Sequence, residues 1–198
     1  TLTQQQPPLP QDYPYYIFVE CLGSEAQKDY QRLETLIGEA MENGMITDAA
    51  LMNSDRDLNF LWLLREDVAV LASQGKFDQH FDISLPIPKI GVLISEIQNN
   101  LEALPFVSHA FAFGHVADGN IHFIVGKNDD SEASRKAINQ IVYAPLKANN
   151  GSVSAEHGIG LHKKDYLYTS RSETEIEVMK ALKNLFDPKY ILNPGRIF

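Results

Sequence analysis

"FVSHAFAFGHVADGNIHFIV", residues 106–125, decides how the chain is put together. Two runs rich in aromatic and β-branched residues flank Asp118-Gly119. An Asp-Gly pair between two such runs is a strong hairpin signal. A hairpin joins neighbouring strands antiparallel, whereas parallel neighbours need a crossover of about a dozen residues or more. The reading is therefore an antiparallel or mixed sheet with helices packed on it, an α+β fold.

Working outward, "HFDISLP" (80–86) alternates as a strand, with Phe81, Ile83 and Leu85 on one face and His80, Asp82 and Ser84 on the other. Ile90, Leu93, Ile94, Ile97 and Leu101 then keep helical spacing. After the hairpin, residues 131–148 read as a helix, and "GSVSAEHGIG" (151–160) as a short strand entering a glycine-rich turn. A last helix carries a Ser172/Glu175 capping box and the stripe Ile176, Met179, Leu182 and Leu185. The tail "FDPKYILNPGRIF" (186–198) is irregular and punctuated by proline.

Towards the N-terminus, "YYIFVECLGS" (15–24) reads as a strand and "MITDAALMN" (45–53) as a weaker one. Between them lies a helix capped by Ser24 with Gln27 and ended by Gly44. A second helix runs from about Asp55 to Gln74, its stripe Leu58, Trp62, Arg65, Ala69, Ala72 interrupted by an arginine. The order is roughly βα-βα-βα-ββα-β-α. "TLTQQQPPLPQDYP" (1–14) is polar and proline-rich and reads as a linker, so the chain looks like part of a longer protein, with one domain over 15–198.

Composition narrows the function. With 44% hydrophobic and 22% charged residues, the chain has material for a real core. The net charge of −9 argues against nucleic acid, which needs a basic surface. One cysteine, Cys21, excludes an intrachain disulfide and a thiolate metal cluster. No apolar run approaches the ~20 residues of a membrane helix, and no signal peptide is visible. Both points fit a reducing compartment, cytoplasmic or, in a eukaryote, mitochondrial.

The hairpin also holds two of the chain's six histidines. A two-residue turn at Asp118-Gly119 would oppose residues whose numbers sum to 237, and so pair His115 with His122. Their Cβ atoms would then lie ~5 Å apart, suited to chelating one cation. "SAEHGIG" (154–160) offers Glu156 as a third ligand. Two histidines and a carboxylate leave an open position on zinc, and His157 beside them would serve as a base. The hairpin alone reads equally well as a polar surface, and adjacent Glu-His pairs are common on solvated turns. From its stripe alone, Arg65 reads as an edge residue reaching water. His80 reads as a solvated histidine, Lys163-Lys164 as a solvated pair, and His109 and His162 have no partner in the sequence.

"REDV…HFDISLP", "GHVADGNIHF", "GSVSAEHGIG" and "FDPKYILNPGRIF" together resemble the C-terminal domain of FAD-linked oxidases. The likeness is to the D-2-hydroxyglutarate and D-lactate dehydrogenases of the vanillyl-alcohol-oxidase type. It runs from about Tyr15 to the end. It implies a ferredoxin-like cap domain, an antiparallel sheet flanked by helices, preceded in the full protein by an N-terminal FAD-binding domain. It also implies oxidation of a D-2-hydroxy acid to the 2-oxo acid with hydride transfer to flavin. His115, His122 and Glu156 would bind a divalent metal, zinc, and His157 would take the hydroxyl proton. Arg65 would pair with a substrate carboxylate, His80 would stand where a lysine is expected near the distal carboxylate, and Asn193 would lie towards the flavin. Ala117 departs from the family's GDGN, and Ile124 stands where the hydroxyglutarate enzymes carry an asparagine. These two pocket changes, at His80 and Ile124, put 2-hydroxyglutarate itself in doubt more than D-2-hydroxy acids in general.

No pyrophosphate loop stands between a strand and a helix, so FAD would be held mainly by the N-terminal domain. The implied partners are a small 2-hydroxy acid and that domain; the oligomeric state is left open, a homodimer among the alternatives. Two other readings stand beside this one: a stand-alone metal-dependent hydrolase, and a non-catalytic metal-binding α+β module.

Overall fold

The computed structural model of the chain describes residues 6–52, 54–67, 70 and 76–198. It divides into two compact units, Thr1–Val70 and Leu71–Phe198.

The first unit holds two helices, α1 (Ala26–Glu42) and α2 (Asp55–Glu66). Gly44 closes α1 in the left-handed conformation expected there, its N–H donating to the Met41 carbonyl and that of Met45 to Ala40. The start of α1 differs from the expectation. Glu25, not Ser24, is the N-cap, with no side-chain cap. The Asp29 carboxylate instead accepts from the Glu25 N–H at 3.1 Å and places a negative charge at the positive end of the helix. In α2, Ser54 does cap, accepting from the Asp57 N–H at 3.2 Å. The continuation of this helix through Ala69 and Ala72 falls on residues outside those described.

The strands expected at 15–24 and 45–53 are absent among the described residues. An extended run becomes a strand only when an edge accepts its hydrogen bonds. The described residues of this unit offer none. Tyr15 and Ile17 stay exposed, and Phe18 packs edge-on against Trp62 with ring centroids 5.5 Å apart.

The second unit is built on three strands, β1 (Phe77–Ser84), β2 (Val107–His115) and β3 (Asn120–Lys127), in the order β1-β3-β2 with both pairings antiparallel. Two helices, α3 (Ile90–Glu102) and α4 (Glu132–Ala148), cover one face. Phe81 and Ile83 of β1 and Ile121, Phe123 and Val125 of β3 meet Leu93, Ile97 and Leu101 of α3 and Ile138, Val142 and Leu146 of α4. The fold is thus α+β, as the hairpin requires.

A fourth strand beside β1 would complete the ferredoxin-like β-α-β-β-α-β unit. "GSVSAEHGIG" occupies that place but forms a single antiparallel bridge, Ser84 with Ser152. The backbone then turns away, because the next N–H groups are spent on a side chain of β1, described below.

The hairpin register also departs from the expectation. The link is not a two-residue turn. It is a four-residue loop: a 3-10 turn over Val116–Asp118, then Gly119 in the left-handed conformation at φ 77°. The Gly119 carbonyl accepts from the Leu85 N–H at 2.9 Å, which ties the loop to the end of β1. A Cβ on Gly119 would collide with the Leu85 carbonyl oxygen, so only glycine fits both the φ and the space. His115 therefore opposes Asn120, and His122 opposes Phe113.

A last helix, α5 (Glu173–Phe186), starts at the expected capping box: the Ser172 N–H donates to the Glu175 carboxylate at 2.8 Å and the Glu175 N–H to the Ser172 hydroxyl at 3.3 Å. Ile176 and Met179 are half-buried, but Leu182 and Leu185 are exposed. No helix among the described residues is long and apolar enough to cross a membrane.

Candidate functional site

Side chains alternate across a pleated sheet, so the face opposite the core is set by register alone. It carries Ser84, Asn120 and His115 in one row, Asp82, His122 and Phe113 in the next, then His80, Ile124 and Phe111. The shift of the hairpin sum from 237 to 235 is even, so both histidines keep this face. They are diagonal neighbours rather than opposed, with Asn120 in the position expected for His122.

Glu156 reaches this face from the loop after Ser152. Its carboxylate lies between the histidines, Oε1 at 3.5 Å from His115 Nδ1 and Oε2 at 3.9 Å from His122 Nε2. Asn120 donates its amide to Glu156 Oε1 and stands 3.3 Å from His122 Nε2. Ligands bound at about 2.1 Å around a tetrahedral ion sit roughly 3.4 Å apart. Glu156 thus approaches each histidine through a different carboxylate oxygen. His157, the next residue, stacks on His122 with ring centroids 5.4 Å apart.

The part of this site that the sequence did not reveal is Asp82. It sits on the polar face of β1, yet it is fully buried. Its carboxylate accepts from the backbone N–H groups of Ala155, Glu156 and His157 at 3.2, 3.1 and 2.8 Å and from the Ser154 hydroxyl at 2.8 Å. Lys163 adds its ammonium at 3.1 Å. Consecutive backbone N–H groups closing on an anion form a nest. Burial alone would push this carboxyl's pKa up. The His157 N–H, the Ser154 hydroxyl, the Glu156 N–H and Lys163 reverse that and hold it well below the usual carboxylate range. A depressed folded-state pKa means that the anchorage is intact above the ordinary carboxylate range and lost only as pH falls below it.

Lys163 is not the solvated residue that Lys163-Lys164 predicts. Its ammonium is buried and has three acceptors, the Asp82 carbonyl, the Asp82 carboxylate and the Ser154 hydroxyl. That matches its three N–H donors. Lys164 reaches the Gly195 carbonyl at 3.2 Å.

Among the described residues, the group that places one ligand atom each within 4.8 Å of one another is Asp82, His122 and His157. A carboxylate offers about four lone-pair positions. Those of Asp82 are taken by five donor groups, one of them cationic. Glu156 is half exposed and carries no such load, which leaves its carboxylate the more open of the two to a cation.

The other expected site residues are placed as follows. His80 is exposed on the site face, one row from His122. Arg65 is exposed near the end of α2 in the first unit. Asn193 lies in the tail in a left-handed conformation, its carbonyl accepting from the Arg196 N–H. His109 proves to have partners on the same face. Its ring lies across Gly126, where a Cβ would strike it, with Nδ1 3.1 Å from the Ser108 hydroxyl and Nε2 3.8 Å from the Asp78 carboxylate.

Comparison with known proteins agrees with this architecture. The family model for FAD linked oxidases, C-terminal domain, matches residues 2–197. A D-2-hydroxyglutarate dehydrogenase of Stutzerimonas stutzeri is 36% identical over 197 residues, covering 96% of this chain and 42% of the relative. The mitochondrial D-2-hydroxyglutarate dehydrogenase of Bos taurus is 34% identical over 187 residues, covering 94% and 34%. A protein of Schizosaccharomyces pombe that carries the name of a D-lactate dehydrogenase is 34% identical over 198 residues, covering 96% and 38%. The chain spans roughly a third to two-fifths of the length of these relatives. With the family model matched from end to end and the α+β sheet in place, the chain belongs to the FAD linked oxidases, as their C-terminal domain.

Proposed function

We propose that residues 15–198 form the substrate- and metal-binding cap of an FAD-dependent dehydrogenase that oxidises a D-2-hydroxy acid to the 2-oxo acid, with residues 1–14 as a linker. The observation that carries this reading is the stacking of His157 on His122 beside the Glu156 carboxylate. It puts a proton acceptor next to a cluster suited to a Lewis acid. The family membership favours it over a stand-alone hydrolase or a non-catalytic module.

His115, His122 and Glu156 would hold the divalent metal, for which the two-imidazole, one-carboxylate set favours zinc. A bound metal would supply Lewis-acid polarisation of the substrate hydroxyl, and a flavin held mainly by an N-terminal FAD domain would supply the hydride acceptor. His157 takes the hydroxyl proton at Nε2. Its Nδ1 faces the Asp82 carboxylate at 3.9 Å. Arg65 binds the substrate's 1-carboxylate, and Asn193 contacts the flavin side. Phe111, Phe113 and Ile124 make the floor next to the histidines apolar, with His80 at its margin. That floor suits a short or apolar side chain better than a second carboxylate.

The test is the full-length protein with a dye acceptor and a panel of D- and L-2-hydroxy acids. Turnover of D-lactate or D-2-hydroxyglutarate, with the L-isomers inert, is the expected result. A preparation that reduces no dye with any 2-hydroxy acid overturns the reading. In parallel, His122→Ala is expected to lose bound zinc, read by metal analysis. Undiminished zinc in that variant would mean that the hairpin is not the metal site.

A further inference from the structure

Glu156 and His157 are adjacent on a segment with no regular secondary structure, and both side chains are exposed. A base and a ligand must nonetheless be held closely to act, since small misplacements cost large factors in rate. What holds them is not a strand, because the ladder beside β1 ends at the Ser84–Ser152 bridge.

We propose that Asp82 is the positioning residue of this site: it fixes Glu156 and His157 together through their own backbone N–H groups, with Lys163 as its counter-charge. The inference rests on the metal and base assignments above and deepens them. One buried carboxylate receives three consecutive N–H groups, 155 to 157, and the Ser154 hydroxyl. Moving Glu156 therefore moves His157, and the geometry of metal and base is set as one unit. Asp82 neighbours His122 across β1 and β3, so the anchor is attached to the same strands that carry the histidines.

Lys163 keeps Asp82 in this role. An uncompensated carboxylate at full burial is costly. The ammonium removes that cost and occupies the oxygen that a metal would otherwise approach. Lys163 also donates to the Asp82 carbonyl and to Ser154. It thus closes the start of the loop onto the strand.

The experiment is Asp82→Asn in the full-length protein. The amide preserves shape but loses the charge and turns N–H groups towards N–H groups. Zinc affinity, measured by chelator competition, is expected to fall about 10- to 100-fold although no ligand is removed, as for other residues that orient metal ligands. kcat should fall more than KM changes. Amide hydrogen exchange over 154–158 should accelerate without acceleration in β3. Wild-type zinc affinity together with unchanged exchange in 154–158 overturns the proposal.

Glu156→Gln separates this failure from that of the metal assignment. Zinc lost in Asp82→Asn but kept in Glu156→Gln makes Asp82 a ligand and overturns the positioning role. If both variants keep zinc, the metal assignment falls, and the exchange of 154–158 alone decides Asp82. Should Asp82→Asn not fold, Ser154→Ala, which removes only the hydroxyl donor, carries the same test. A several-fold loss of zinc affinity with faster exchange supports the anchor, and no change in either overturns it.

Discussion

Replacing His157 by alanine in the full-length flavoprotein is expected to slow flavin reduction ~10²–10⁴-fold, the ordinary contribution of a positioned general base. The bound metal should be retained, because none of His115, His122 and Glu156 is touched. This combination distinguishes a base from a ligand. The stacking of His157 on His122 could suggest that the two imidazoles act alike. The loop anchors His157 through its backbone N–H, however, and not through its ring. Removing the ring therefore leaves Glu156 in place. Stopped-flow absorbance of the flavin with a D-2-hydroxy acid, alongside metal analysis, makes the measurement. Normal reduction kinetics would refute the base assignment, and loss of metal would make His157 a ligand.

The second large effect is on stability. Phe123 lies at the centre of the middle strand, fully buried, between Phe81 of β1 and Ala112 of β2 on the core face. Phe123→Ala removes the ring from between both helices and the sheet and is expected to cost about 3–5 kcal/mol. Denaturant unfolding should show a lowered midpoint with little change in slope. Because His122 is the next residue on the same strand and faces the other way, the substitution leaves the site's chemistry intact. A shift smaller than about 1 kcal/mol would mean that the core does not rest on this ring.

The sequence displays what local physics decides. The alternation of 80–85, the 3.6-residue stripe of α3, the helix at 131–148 and the Ser172/Glu175 capping box all appear where expected, because each depends on neighbours a few positions away. What fails depends on distant partners. The run 15–24 has strand composition, but strand formation needs an edge that composition does not report. The hairpin register depends on whether Asp118-Gly119 is the whole turn. The Leu85 N–H, held at the end of β1, draws the Gly119 carbonyl and supports a four-residue loop instead. Parity survived that error, which is why the two histidines still share a face with Glu156.

Asp82 and Lys163 show the same limit at the site. In "HFDISLP" Asp82 is one more polar residue of an alternating strand, and Lys163-Lys164 looks like any solvated pair. Asp82 is buried only because Lys163 and the loop 154–157 arrive from more than 70 residues away in sequence, and Lys163 because Asp82 does. The polar side of a strand must still face something, and Asp82 is the acidic residue that lies opposite a histidine, His122.

The unfinished fourth strand has a further consequence, for association between molecules. β1 is an outer strand of the sheet, and an outer strand presents backbone groups that invite pairing with another chain. Here that lane is obstructed where it nears the site. Ser84 is already paired to Ser152 through both of its backbone groups, and the Asp82 carbonyl is occupied by the Lys163 ammonium. An intruding strand would have to expel a buried cation to add itself there. The contacts that organise the loop thus also guard the sheet's border against aggregation.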